Sequence, residues 1–141
     1  MSGTSGTIDS SFGMNGVVET EFNHHAILSA IDVHSSGRIY AFGTTRPLIE
    51  HRHQVAIARY FPTGMLDVGY HNGGKVYYGS TEIPPGSRSF YGLDMVLEPN
   101  ERLVFLAFRI EDQPPALPLL SLVRFNADAT MDQAFGGQDI S

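Results

Sequence analysis

Three aspartates recur in this chain in the same company: Asp9, Asp67 and Asp132, separated by 58 and then 65 residues. Each follows an apolar residue (Ile8, Leu66, Met131) and precedes an aromatic by three positions (Phe12, Tyr70, Phe135). A carboxylate can serve as general acid, general base or metal ligand. Catalysis wants such a group once, in one special setting, whereas this one returns with every copy. The type and spacing suit a turn instead, because an aspartate side chain accepts backbone N–H groups two residues on. Arg59 and Arg124 stand eight residues before Asp67 and Asp132. A planar guanidinium fork matches a carboxylate, so the spacing predicts Arg59–Asp67 and Arg124–Asp132 ion pairs that set register rather than bind substrate. Together with Gly16 and Gly74, these residues form a structural repeat motif.

Other chemistry is thinner. His51 and His53 are two apart, so on a strand they share a face. A metal site wants three or four ligands, and Glu50 would point the other way. Arg46, Glu50 and Arg52 make 46–53 a polar loop, which leaves His51 and His53 as a weak metal candidate. Gly13, Gly16, Gly73 and Gly74 do not make a phosphate cradle, because Lys75 leads into Val76 and a strand rather than Ser/Thr and a helix. Six histidines and many serines permit no Ser/His/Asp set to be chosen without geometry. The absence of cysteine removes thiol chemistry and thiolate metal sites. No catalytic residue and no cofactor is assigned.

The elements that would position these residues also repeat. LSAIDVHSSGRIYAFG (28–43) matches YGLDMVLEPNERLVFLA (91–107), and VAIARYFPTG (55–64) matches LSLVRFNADA (120–129). Self-similarity at such a period marks a repeat architecture. The chain reads as a single repeat domain over 1–141, with unit one about 6–63, unit two about 64–129 and a partial third unit 130–141. Short runs rich in β-branched and aromatic residues, separated by turn signals, predict strands. In unit one these are Val17–Phe22, Ile27–Val33, Arg38–Thr44 and Gln54–Tyr60. In unit two they are Lys75–Tyr78, Gly92–Leu97, Arg102–Arg109 and Leu119–Phe125. No window keeps a helical apolar period. Ala56-Ile57-Ala58 and Leu103–Ala107 are apolar on both faces, as strands covered on both sides are. Small residues (Ala30, Ala41, Gly43, Ala56, Ala58) mark places for close sheet approach. Four short strands per unit predict an all-β fold of two four-stranded propeller-type blades plus a partial third repeat.

IARYFPTGMLDVGYHNGGKV (57–76), VRFNADATMDQAFGG (123–137) and GTIDSSFGMNGVV (6–18) resemble the bacterial delta-60 repeat over nearly the whole chain. Three positions depart from its pattern: His71 replaces the glycine after the aromatic, Ala129 the turn glycine and Asp139 the last glycine. The resemblance implies a propeller-like β fold in large, surface-associated bacterial proteins, and so a cell-surface or extracellular setting. It implies no catalytic activity.

Composition narrows the partners. Nine Lys+Arg against fifteen Asp+Glu give a net charge of −6, so nucleic acid and anionic membrane are poor partners. No apolar run approaches the ~20 residues of a membrane-spanning helix; the longest is broken by Pro114, Pro115 and Pro118. The opening MSGTSGT reads as no secretory signal. Two units cannot close a propeller of about 4–8 blades, and isolated blades leave edges and faces bare. Either the chain is a piece of a longer parent or several copies close the ring as a homo-oligomer; the oligomer is favoured, with a trimer of six blades ahead of a dimer and Met131–Gly137 lying across the next subunit. The expected function is a non-catalytic binding or scaffolding module. Tyr77, Tyr78, Arg88, Phe90 and Tyr91 are candidate ligand contacts, because aromatics and arginine are common anchors, and carbohydrate is the first ligand class to test. The competing readings are a hydrolase or lyase with its site on the ring axis, and a purely structural segment of a surface protein.

Overall fold

The computed structural model describes residues 6–22, 25–46, 52–79, 88–111 and 117–136. It is all-β, with no helix among the described residues. Strands β1 (His25–Val33), β2 (Ile39–Arg46), β3 (Gln54–Tyr60) and β4 (Lys75–Tyr78) form one antiparallel sheet in sequence order. Strands β5 (Arg88–Leu97), β6 (Leu103–Glu111) and β7 (Leu119–Phe125) form a second, three-stranded sheet.

The two sheets are copies in backbone detail. The β1–β2 register slips between Leu28 and Ala30, and the β5–β6 register slips at the equivalent place, between Gly92 and Asp94. Turn residues correspond as well. Gly37 has φ +86° and its counterpart Glu101 +62°; Gly64 has +88° and its counterpart Ala129 +70°. Gly13, His71 and Gly136 follow the three motif aromatics at +56°, +45° and +96°. Left-handed backbone is disfavoured for any residue with a Cβ, so its retention at Glu101, His71 and Ala129 shows that the repeat imposes the turn whatever residue occupies it.

The sheets pack face to face. Tyr40, Phe42, Val55, Ile57, Val76 and Tyr78 from the first meet Phe90, Met95, Leu103, Phe105, Val123 and Phe125 from the second in one buried cluster. Phe42 and Phe105 lie 5.4 Å apart between ring centroids, and Tyr78 meets Phe90, Phe105 and Phe125 edge-on at 5.2, 5.6 and 5.9 Å. The approach is tight at Gly92. A Cβ built there would fall 2.7 Å from the Gly43 carbonyl oxygen and from the Phe42 ring. A smaller cluster of Ala41, Ala58 and Tyr60 lies on the other face of the first sheet, under Val18 and Phe22. Covered on both sides, β3 is buried throughout.

Three sequence expectations are corrected. Val17–Phe22 is not a sheet strand; only Val17 bridges, to Met14. Its side chains alternate between outward and inward as in a strand, yet no strand runs beside its backbone among the described residues. The sheets are accordingly four- and three-stranded rather than four and four. The first sheet takes its fourth strand, β4, from the start of unit two, so sheet boundaries do not follow sequence-unit boundaries. Finally, Met131–Gly136 packs on its own chain. Met131 bridges Phe125, and the Asp132 N–H donates to the Arg124 carbonyl at 2.8 Å. Local backbone and ion-pair partners eight residues away hold it there.

Candidate functional site

The repeat motif is an arginine clamp. Arg59 Nε donates to Asp67 Oδ2 at 2.8 Å, and Nη2 lies 2.8 Å from the same oxygen. In the second copy Arg124 Nε and Nη2 reach Asp132 Oδ2 at 2.9 and 2.8 Å. The ion pairs expected from the eight-residue spacing are both present. What the spacing did not reveal is why an aromatic follows three positions later. Arg59 sits 4.2 Å from the centroid of the Tyr70 ring, and Arg124 4.6 Å from that of Phe135. Each guanidinium is thus sandwiched against a ring and tied to a carboxylate.

A backbone turn presents each carboxylate. The Phe12, Tyr70 and Phe135 N–H groups donate to the carbonyls of Asp9, Asp67 and Asp132 at 3.1, 2.9 and 3.2 Å. The Asp9 and Asp132 carboxylates also accept the Ser11 and Ala134 N–H groups, each at 3.0 Å. Ser11 holds the Asp9 carboxyl below its ordinary range, and Arg124 does the same for Asp132.

The most concentrated polar group in the described structure lies where the two sheets meet, and sequence reasoning missed it. Glu101, on the turn between β5 and β6, reaches back to the first sheet. Its carboxylate accepts from Arg38 Nη1 at 3.1 and 3.0 Å and from Ser36 Oγ at 2.8 Å, and Arg59 Nη1 lies 3.8 Å away. Burial pushes Glu101 up, but the Ser36 hydroxyl and Arg38 outweigh it and hold the carboxyl below its ordinary value. Burial likewise raises the Tyr40 and Tyr70 phenols beside Arg59. One signal pointed to Glu101: it stands where the first copy has Gly37. A charged residue at a glycine position bears backbone strain that some contact must offset.

Ser36, His34 and Glu101 do not form a catalytic relay. His34 Nδ1 faces both Ser36 Oγ (2.9 Å) and Glu101 Oε1 (3.2 Å), while Nε2 is engaged with the Pro99 carbonyl at 2.9 Å. A relay needs the hydroxyl and the carboxylate on opposite ring nitrogens. These groups serve as a latch between the β1–β2 and β5–β6 turns.

The candidate ligand contacts scatter. Tyr78 and Phe90 are core residues, with no ring face left for a ligand. Tyr77 is half-buried, edge-on to Phe22 at 6.4 Å. Tyr91 stacks on His53 at 4.4 Å. Arg88 opens β5 of the second sheet, whereas Tyr77 lies on β4 of the first. His53 is pushed below its ordinary value by burial and then by Arg46, which disfavours the protonated form. Its expected companion, His51, lies outside the described residues. No group of three or more potential metal ligands occurs among the described residues. A groove of about 690 Å³ runs beside the first motif turn, lined by Met14, Val17, Val18 and Met65 among others; it is mostly apolar and contains no clustered ionisable groups.

No family model, curated protein or solved structure matches this chain.

Proposed function

We propose that the chain is a non-catalytic binding or scaffolding module of delta-60-like repeats, in which each sheet is a propeller-type blade and several copies complete a ring. A trimer would supply six blades; a dimer is the competing assembly. One observation carries this reading. The face that the first sheet buries against the second, built on Tyr40, Phe42, Val55 and Ile57, is reproduced on the outer face of the second sheet as Val104, Leu106, Leu120 and Leu122, where Val104 and Leu106 are half-buried and Leu120 and Leu122 are exposed. A repeated packing face left open is the surface of a module that stacks. The conspicuous polar groups agree with that role, since both motif arginines, both of their aspartates and Glu101 are engaged with one another.

Carbohydrate is the ligand class to test first, at the half-buried rings of Tyr77 and Tyr91. A glycan array probed with the purified chain checks it. Signals abolished by Tyr91→Ala or Tyr77→Ala support sugar binding, whereas a blank array removes sugars and leaves scaffolding.

A further inference from the structure

We infer that the outer edge of β7 is a docking site for a second copy of this chain, whose Val17–Thr20 adds to it as a fourth strand. The inference rests on the module reading above and names its partner and the contact. Strand addition to an exposed sheet edge is a recurrent mode of recognition, driven by main-chain hydrogen bonds.

The template is within the molecule. β4 hydrogen-bonds to β3 of the first sheet while its Tyr78 packs into the aromatic core of the second. It belongs to one sheet by backbone and to the next by side chain. Val17–Thr20 is the sequence counterpart of β4, 58 residues earlier. Its side-chain half of that role is already in place. Val18 packs on the Ala41–Ala58–Tyr60 face, and Thr20 accepts from the Tyr60 hydroxyl at 2.7 Å, just as Tyr78 meets Phe125, the counterpart of Tyr60. Its backbone half is missing: no strand runs beside it among the described residues. The strand equivalent to β3 is β7, which forms a sheet edge among the described residues.

The register transfers directly. Ile57↔Val76 and Val55↔Tyr78 in the first sheet become Leu122↔Val18 and Leu120↔Thr20 between copies. Apolar faces come together with the strand. Leu28, Ile31 and Val33 are exposed on the first sheet; their counterparts Gly92, Met95 and Leu97 are those with which the second sheet covers the first. Such a contact joins two different surfaces, so it is head-to-tail and can close a ring.

Charge adds a competitor. Asp9 forms the motif turn but has no arginine in ion-pair range among the described residues; its partner is Ser11. The matching arginine is Arg124, held in the single chain by Asp132. Docking brings the second copy's Asp9 to the seat that Asp132 occupies, so Asp132 opposes association and Asp9 promotes it.

The test is sedimentation velocity on the full chain at up to about 0.1 mM, with Val18→Pro and Leu122→Lys. Val18→Pro removes the N–H that pairs with Leu122, and Leu122→Lys charges an exposed position on the accepting edge. The wild type associates, each variant alone stays monomeric, and an equal mixture forms a 1:1 dimer, because each variant supplies the end that the other lacks. Asp132→Asn tightens association roughly tenfold and Asp9→Asn weakens it by a similar factor. A synthetic peptide of residues 14–22 binds dilute wild type and loses affinity roughly tenfold for Leu122→Lys; this arm stands even where Val18→Pro fails to fold. A monomeric wild type, an association indifferent to Val18→Pro, a mixture that stays monomeric, or an Asp132→Asn that weakens association overturns the inference. None of these outcomes bears on glycan binding, which is read separately.

Discussion

Ile57 and Leu122 occupy the same place in the two sheets, yet Ile57 is 0% exposed and Leu122 64%. The same divide runs through the arginine clamps. Distances in the two ion pairs agree within 0.1 Å, but Arg59–Asp67 lies under the second sheet and is braced by Glu101, whereas Arg124–Asp132 lies at the open end. Gly92 and Leu28 are a third such pair: one must be glycine because another sheet presses on it, while the other is an exposed leucine. The local motif therefore sets conformation, and neighbouring elements set what that conformation contributes.

The sharpest way to break this comparison is to truncate both faces of one sheet. Phe105→Ala, on the covered face, is expected to cost about 3–5 kcal/mol, read as a lowered urea midpoint. Leu122→Ala, on the bare face, stays within about 0.5 kcal/mol when measured dilute enough to exclude association. Equal losses would mean that both faces are packed.

A smaller effect separates the clamps. Asp67→Ala strips the nearest carboxylate from a largely buried arginine, leaving Glu101 3.8 Å away, and is expected to cost about 3 kcal/mol because a buried charge loses its hydrogen-bonded partner. Asp132→Ala, at the open end, lowers the midpoint far less. Should the two substitutions be equivalent, burial does not decide the worth of the pair.

The smallest effect concerns the turns. His71 is exposed at φ +45°, where the other copies carry Gly13 and Gly136. His71→Gly is expected to gain about 1 kcal/mol by relieving left-handed strain, seen as a higher melting temperature. A lower melting temperature would show that the His71 side chain makes a contact outweighing the strain.

Much of this was legible in the chain. Seven of the eight expected strands, the absence of helix among the described residues and both arginine–aspartate pairs follow from alternation, turn residues and an eight-residue spacing. All of these are local, and local preferences are written in nearby residues. Val17–Phe22 has the composition of a strand but no partner strand among the described residues, and pairing is a property of two segments. Tyr78 and Phe90 show the converse. As residue types they suit a binding surface as well as a core, and only the packing of one sheet on the other made them core. The Glu101 latch joins positions 63 to 67 residues apart, beyond the reach of motif spacing.

By itself the sequence determined the repeat, its turns and which residues clamp each turn, because those interactions close over a few residues. Tertiary structure alone decided which face of each copy is buried and which unit lends its strand to which sheet. It also decided that one clamp is interior while its twin lies at an edge. Those outcomes depend on which neighbour occupies the space beside an element, and identical segments carry no record of their neighbours.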